Sequence, residues 1–270
     1  MRILITGGSG FLGRALTQHW RDEHTVCIYS RGEVAQAELE PHPNVRKFIG
    51  DVRDVTRLRR AMERCDVVVH AAALKRIETA HYNPGELVKT NCLGTMHVIE
   101  AAQDACVDRV LYVSTDKAWR PISAYGLSKA LGEAMIIAAN DTVPHHKPRF
   151  AAVRYGNVMG STGSVIPTWR AATGRVTLTD PEVTRFWMSP IEAVRLIERT
   201  IDVMQGGEVA IPELPAFRLG DLAQAMGVDY DVTHLPSWEK RHEGMSDMNR
   251  SDNARRMSVA EIRERLKEVE

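Results

Sequence analysis

The sequence has no excess of charge of either sign: its 270 residues hold 35 Lys plus Arg and 35 Asp plus Glu. With no basic field to recruit nucleic acid or an anionic membrane, neither partner is expected. No apolar run approaches the roughly 20 residues needed to cross a bilayer. The opening MRILITGG has too short an apolar run for a leader and ends in a glycine turn. Cys27, Cys65, Cys92 and Cys106 form no C-x-x-C pair, which reads as reduced, buried thiols of a cytoplasmic protein. The ten histidines show neither H-x-H nor H-x-x-x-H spacing, so no metal is expected. Repeats, low-complexity tracts and flexible linkers are also missing, so the chain should fold as one unit.

What is present is alternation. RILIT, TVCIY, VRKFIG, DVVVHAA, RVLYVST and RFAAVRYG are short, nearly continuous apolar runs, each followed by a segment with helical spacing. Continuous rather than alternating apolar character marks strands covered on both faces, as in a parallel sheet. The expected class is therefore α/β, a doubly wound parallel Rossmann sheet over residues 1–155. A smaller substrate-binding lobe is expected over 156–270, interleaved with it. Long helices are expected over 85–105 and 124–139, shorter ones near 190–204 and 219–226. Ser258 and Glu261 fit a capping box at a C-terminal helix.

ITGGSGFLG follows the first strand and opens a helix, with glycines at 7, 10 and 13. Glycines there allow a tight turn and bring backbone N–H groups close to a pyrophosphate, whose charge the helix N-terminus favours. The bland reading is a glycine turn without a ligand. The second strand runs into Ser30-Arg31-Gly32, with no acid before Glu33. A carboxylate at that place would suit the ribose of NAD, whereas a cation and hydroxyl suit the 2′-phosphate of NADP, so NADP is expected over NAD. Asp51 could meet an adenine amino group or simply cap the next helix.

In VSTDKAWRPISAYGLSK, residues 113–129, Tyr125 and Lys129 lie one helical turn apart. A phenol near pKa 10 is a poor base at neutral pH, and an ammonium nearby favours its ionised form. Asp116 and Lys117 are either a solvated pair at a loop or two separate catalytic groups.

Taken in order, TGGSGFLG, YSRGE, HAAALKRIETAHYNPGELVKTNCLGT, VSTDKA, YGLSKALGE, VRYGNVMGSTGSVIP, VTLTDPEVTRFWM and EKRHEGM span residues 3–257. The set resembles the extended short-chain dehydrogenase/reductases, and within them the inverting UDP-N-acetylglucosamine 4,6-dehydratases of polysaccharide biosynthesis. The resemblance implies oxidation at C4 of a UDP-sugar, loss of water across C5 and C6, and hydride return from NADP to C6, with C5 inversion as one outcome. It gives Tyr125 the C4 hydroxyl proton with Thr115 sharing the hydrogen bond, Lys129 the ribose and the tyrosine's pKa, Asp116 the departing C6 oxygen, and Lys117 the C5 proton. Lys117 would be activated by burial and by Lys129, both favouring the neutral amine. Cofactor contacts are implied at Gly7, Ser9, Gly10, Phe11, Leu12, Gly13, Ser30, Arg31, Asp51, Val52, Ala71, Ala72 and Ala73, besides Tyr125 and Lys129. Lys75, Asn157, Thr177 and Arg185 would face the sugar nucleotide, although Arg185 could instead pair with Asp180 or Glu182.

Retaining 4,6-dehydratases carry Thr-Asp-Glu where this chain has Thr115-Asp116-Lys117. Trp119-Arg120-Pro121 replaces the family's small residue and Asn, altering a wall near the sugar. Ser237-Trp238-Glu239-Lys240 replaces a Gly-Glu-Lys turn, and the C-terminal end is short for the family. Tyr125 stands where many membrane-anchored relatives have methionine. The competing readings are a sugar-nucleotide epimerase or ketoreductase, and a non-catalytic NADP-binding scaffold. A homodimer or larger homo-oligomer is implied, through pairing of the two long helices.

Overall fold

A computed structural model describes residues 1–142 and 147–269. Seven parallel strands form the central sheet: β1 (Arg2–Thr6), β2 (Thr25–Ser30), β3 (Val45–Ile49), β4 (Val67–His70), β5 (Arg109–Val113), β6 (Arg149–Val153) and β9 (Val209–Ala210), in the order β3-β2-β1-β4-β5-β6-β9. The smaller lobe adds β7 (Val176–Leu178), β8 (Thr184–Phe186), β10 (Ala216–Arg218) and β11 (Tyr230–Val232), as an antiparallel pair β8/β10 and a parallel pair β7/β11. The first six expected strands are all present, and the class is the doubly wound Rossmann sheet.

Two apolar layers explain the continuous strand patterns. Ile3, Ile5, Val26, Ile28, Val67 and Val69 face one side, with helices Phe11–Trp20 and Pro190–Val203 packed there. Leu4, Cys27, Tyr29, Val68, Val110 and Tyr112 face the other, under helices Val55–Met62 and Gly94–Asp104. A third cluster, including Trp187, Phe217 and Ile262, is the core of the smaller lobe. Residues 190–210 return from the second half of the chain to pack on the sheet and supply β9.

The strand order reverses between β1 and β4, and crevices at the carboxyl ends of such strands are where ligands bind. The turn after β1 lies at this place. Gly7 has φ +72°, a left-handed conformation that suits glycine.

Several expectations are refined. The helix expected over 85–105 is α-helical only at Pro84–Leu87 and Gly94–Asp104; between them Val88–Leu93 forms a π-helical turn, with Gly94 N donating to Lys89 O. The wider turn carries Asn91 inward, where Oδ1 accepts from Leu74 N (2.8 Å) and Nδ2 donates to Leu74 O (3.0 Å) and Ser128 Oγ (2.9 Å). These bonds tie the loop after β4 to the helix Ala124–Ala138, a use typical of π-turns near functional sites.

Ser258 does cap Val259–Arg265, but only half of the box forms. The Glu261 carboxylate takes both arms of Arg255, at 2.8 and 3.0 Å, because a bidentate charged fork outcompetes a neutral N–H. The complete box lies at Ser189 and Glu192, opening helix Pro190–Val203. Cys106 corrects the expectation of buried thiols: at φ +52°, just beyond helix Gly94–Asp104, the chain turns its side chain outward. Among the described residues no helix is long and apolar enough to cross a membrane.

Candidate active site

The central cluster is built by β5 and the helix that follows. Beyond Val113, Ser114 N donates to Val153 O (2.8 Å) and Asp116 N to Tyr155 O (2.9 Å), so the strand end is pinned to its neighbour. Thr115 then caps a single turn of 3-10 helix, Asp116–Ala118. Ser123 caps the helix Ala124–Ala138 by accepting from Gly126 N at 3.0 Å. A Cβ at Gly126 would lie 2.4 Å from Lys117 O. That close approach presses the helix carrying Tyr125 and Lys129 onto the turn carrying Asp116 and Lys117.

Asp116 is fully buried, which excludes the solvated-pair picture. Its Oδ1 accepts from the Thr115 hydroxyl (2.9 Å) and from Lys117 Nζ (3.1 Å), while Oδ2 is buried without a partner. Lys117 Nζ also reaches Asn157 Oδ1 and Glu243 Oε1, each at 3.3 Å. Burial alone would lower the Lys117 ammonium, but Asp116 and Glu243 push it above the usual lysine value. The charged form is therefore favoured, opposite to the neutral amine expected from burial and Lys129. Lys129 points elsewhere: its Nζ donates to Val113 O at 2.6 Å and sits 3.9 Å from the Tyr112 ring centroid. Burial draws that ammonium down to about 7, against the pull of Glu133 and Cys92. Asp116 is held high by burial, with Lys117 opposing.

The Tyr125 phenol is pushed up to about 12 by burial; Lys117 and the Thr115 hydroxyl act to lower it. The cation acting on the phenol is thus Lys117, not Lys129 as expected. Arg185, in β8, is 4% exposed, with its guanidinium against Glu239 and donating to Thr184 O (2.8 Å) and Arg241 O (3.3 Å). An ion pair forms, but not with Asp180 or Glu182, which face Arg241 and Arg218 instead. Lys75 is exposed on the loop after β4, and Thr177 is exposed on β7 opposite Asp231; among the described residues no hydrogen bond joins either to the Lys117 cluster.

Two residues of this cluster, Lys240 and Glu243, went unidentified in the sequence. They lie in EKRHEGM, and only the tertiary fold brings that segment to Lys117. Lys240 Nζ donates to Trp119 O (2.5 Å) and lies 3.3 Å from Glu243 Oε2. The Trp119 ring faces the guanidiniums of Arg120 and Arg154, each 5.6 Å from it, and packs on Gly244. Trp238 stacks on His81 at 4.7 Å between centroids. The two stretches that depart from the family pattern are thus joined through Lys240.

The residues of the first crevice fit a dinucleotide. A Cβ at position 13 would lie 2.5 Å from Gly8 Cα, and one at position 10 would lie 3.1 Å from Gly7 O, so the turn closes tightly under the N-terminus of helix Phe11–Trp20. Arg14 Nε braces it by donating to Ser9 O at 2.9 Å. Phe11 and Leu12 are half-buried in the first turn, and Ala71, Ala72 and Ala73 line the chain beyond β4, where Ala72 N donates to the Thr6 hydroxyl (3.2 Å). Ser30 Oγ accepts from Gln36 Nε2 (2.8 Å), and the exposed Arg31 lies 3.8 Å from Asp51. Asp51 does not cap the following helix; Asp54 does, accepting from Arg57 N at 2.9 Å. Arg53 takes both Asp51 oxygens and, against burial, holds that carboxyl below its usual range. Val52 is buried beside it, against Gly94. Among the described residues no three His, Cys, Asp or Glu side chains are grouped to hold a metal.

Residues 3–257 match the family described as polysaccharide biosynthesis protein. An inverting UDP-N-acetylglucosamine 4,6-dehydratase of Campylobacter jejuni is 38% identical over 255 residues, covering 90% of this chain and 76% of that protein. A UDP-glucose 4-epimerase of Rickettsia bellii is 38% identical over 236 residues, covering 83% and 69%. The X-ray structure of Pen from Bacillus thuringiensis superposes with a TM-score of 0.93 at 31% identity, covering 99% of this chain and 98% of that one.

Proposed function

The chain belongs to the polysaccharide biosynthesis protein family, within the extended short-chain dehydrogenase/reductases, and from that membership we propose that it is an NADP-dependent nucleotide-sugar 4,6-dehydratase acting on UDP-N-acetylglucosamine or a related UDP-hexose. The observation that carries this reading is the buried Asp116–Lys117 pair, 3.1 Å apart and next to Tyr125. An epimerase has no elimination step and no need for a second acid and base there. Preference for NADP over NAD rests on Arg31 and the oriented Ser30 hydroxyl at the end of β2, where the chain itself carries no acid before Glu33 and Asp51 approaches only as the partner of Arg31 and Arg53.

NADP, when bound, supplies the hydride acceptor for C4 and the hydride donor for C6. Tyr125 takes the proton of the C4 hydroxyl, assisted by Thr115, with the Lys117 charge lowering the cost of the phenolate. Lys129 would hold the ribose with the ammonium hydrogens not given to Val113 O. The resulting C4 ketone makes the C5 proton acidic. Asp116 and Lys117 share one proton between them, and elimination uses the arrangement in which Asp116 carries it. Lys117 as free amine then takes the C5 proton while Asp116 protonates the departing C6 oxygen, and water leaves. The pair is left as ammonium and carboxylate, the arrangement with the favoured charged lysine described above. Transfer of one proton across 3.1 Å from Lys117 to Asp116 restores the starting form. A proton from solvent reaches C5 on the face opposite Lys117, which gives inversion, and Tyr125 releases to solvent the proton it took from the C4 hydroxyl. Asn157, Arg185, Lys75 and Thr177 are assigned to the sugar nucleotide; for Arg185 this requires exchange of Glu239 for diphosphate oxygens.

The likeness to a UDP-glucose 4-epimerase favours epimerisation as the second reading. Incubation with a panel of UDP-, dTDP- and GDP-sugars, followed by mass spectrometry, separates the two: a dehydratase product is lighter by one water, and an epimer has unchanged mass. The protein acts as a homodimer or larger homo-oligomer on this reading. Exposed Leu127 and Leu131 on helix Ala124–Ala138, Leu93 at the end of the π-turn and Met96 on the helix that follows it offer apolar surface suited to a second copy. The four free thiols suit a cytoplasmic setting.

A further inference from the structure

Glu243 is only 2% exposed, and its backbone is anchored on both sides. Its N–H donates to Ser251 Oγ (2.9 Å), its carbonyl accepts from Ser251 N (2.8 Å), and Ser251 Oγ meets the Thr184 hydroxyl at 2.6 Å. Oε1 lies 3.3 Å from Lys117 Nζ. Oε2 lies 3.3 Å from Lys240 Nζ but is poorly aligned for a hydrogen bond and remains a buried, unpartnered acceptor. Lys240 spends its aligned hydrogen on Trp119 O instead. A buried carboxylate with one free oxygen carries a desolvation cost that structural need alone does not explain.

We propose that Glu243 is a positioning residue for Lys117, holding the free amine so that its lone pair points at C5 of the sugar. On the dehydratase reading above, the number of N–H groups on Lys117 sets this role. An ammonium has three N–H groups, and Lys117 has three oxygen neighbours: Asp116, Asn157 and Glu243. In the form ready for elimination Asp116 carries the proton and Lys117 has two N–H groups and a lone pair. Glu243 and Asn157 accept those two, which leaves the remaining tetrahedral position, on the Asp116 side, for the substrate proton. Acid and base are thereby directed at neighbouring carbons. Lys117 is also faced by Arg185 from β8 and by the Tyr125 phenol from helix Ala124–Ala138, and Glu243 brings it a carboxylate from outside its own turn.

The test is C5 hydrogen–deuterium exchange in D₂O on the 4-keto-6-deoxy sugar nucleotide, followed against pH. In Glu243→Gln an acceptor oxygen is retained but the charge is lost. Lys117 then releases its proton more readily, and the acid limb of exchange moves to lower pH by about one unit or more, a tenfold change in rate on that limb. Glu243→Ala lowers exchange about 10²-fold with little change in KM. Lys240→Met, at a half-buried position, leaves Glu243 more strongly negative toward Lys117 and moves the limb to higher pH. Unchanged limbs in Glu243→Gln and Lys240→Met would overturn the assignment, as would exchange within twofold of wild type in Glu243→Ala. If Glu243→Gln does not fold, the Lys240→Met limb decides alone. Absence of exchange in the wild type would overturn the dehydratase reading and this inference together, whereas wild-type exchange with unmoved limbs overturns only the inference.

Discussion

Replacing Lys117 by methionine keeps the length and apolar stem of the side chain but removes the ammonium from between two buried carboxylates. Asp116 is fully buried and Glu243 is 2% exposed, and they lie 3.1 and 3.3 Å from the nitrogen that is lost. Removing one partner of a buried ion pair costs about 3–5 kcal/mol. At roughly 2–4 °C per kcal/mol for a large domain, the melting temperature should fall by roughly 6–20 °C near pH 8. The penalty should shrink in acid. Without the cation the Asp116 carboxyl, already held high by burial, rises further above its unfolded value of about 4. A raised folded pKa gives stability that is present in acid and lost as pH rises through the folded value, so the variant approaches wild type as pH is lowered from 8.5 to 5.5. Dehydration should fall by about 10²–10⁴-fold, the usual contribution of one positioned base, and C4 oxidation should slow as well, because the Tyr125 phenol loses the cation that favours its ionised form. Scanning calorimetry of both proteins at the two pH values, with mass spectrometry for water loss, measures both effects. A melting decrement equal at both pH values, or dehydration within threefold of wild type, would refute the account of Lys117.

Tyr125→Phe should reduce C4 oxidation, and everything after it, by about 10²–10⁴-fold, read as loss of the transient absorbance of reduced nicotinamide. The thermal stability should stay close to wild type, because the Thr115 hydroxyl beside the phenol keeps its bond to Asp116. Arg31→Ala should weaken NADP binding about tenfold and leave NAD binding nearly unchanged, measured by calorimetric titration; equal losses would argue against a 2′-phosphate contact. Leu131→Glu, which puts a charge in the exposed apolar surface, should give a monomer by light scattering at micromolar concentration, and an oligomer that persists would place the interface elsewhere.

The sheet was legible because strands buried on both faces leave continuous apolar runs, and the glycine turn because its spacing is local. Tyr125 and Lys129 were equally legible as a pair one turn apart. What each of them touches was not. Helical spacing put Lys129 on the tyrosine's face, yet the packing of the helix against β5 sends its ammonium to Val113 O and the Tyr112 ring. The charge of Lys117 could not be read either, because the second carboxylate that holds it, Glu243, arrives on a loop whose anchor is Ser251. Arg185 shows the same limit: near acids in sequence were its obvious partners, but β8 turns it toward Glu239. The π-turn at Val88–Leu93 leaves no pattern of its own, since Asn91 is drawn inward by Leu74 and Ser128, partners set by tertiary structure.

Proton NMR of the product formed from UDP-N-acetylglucosamine in D₂O tests the central claim most directly. The account predicts a 4-keto sugar with a C6 methyl group and deuterium at C5. A product that keeps its C6 hydroxymethyl group and its C5 hydrogen would contradict it.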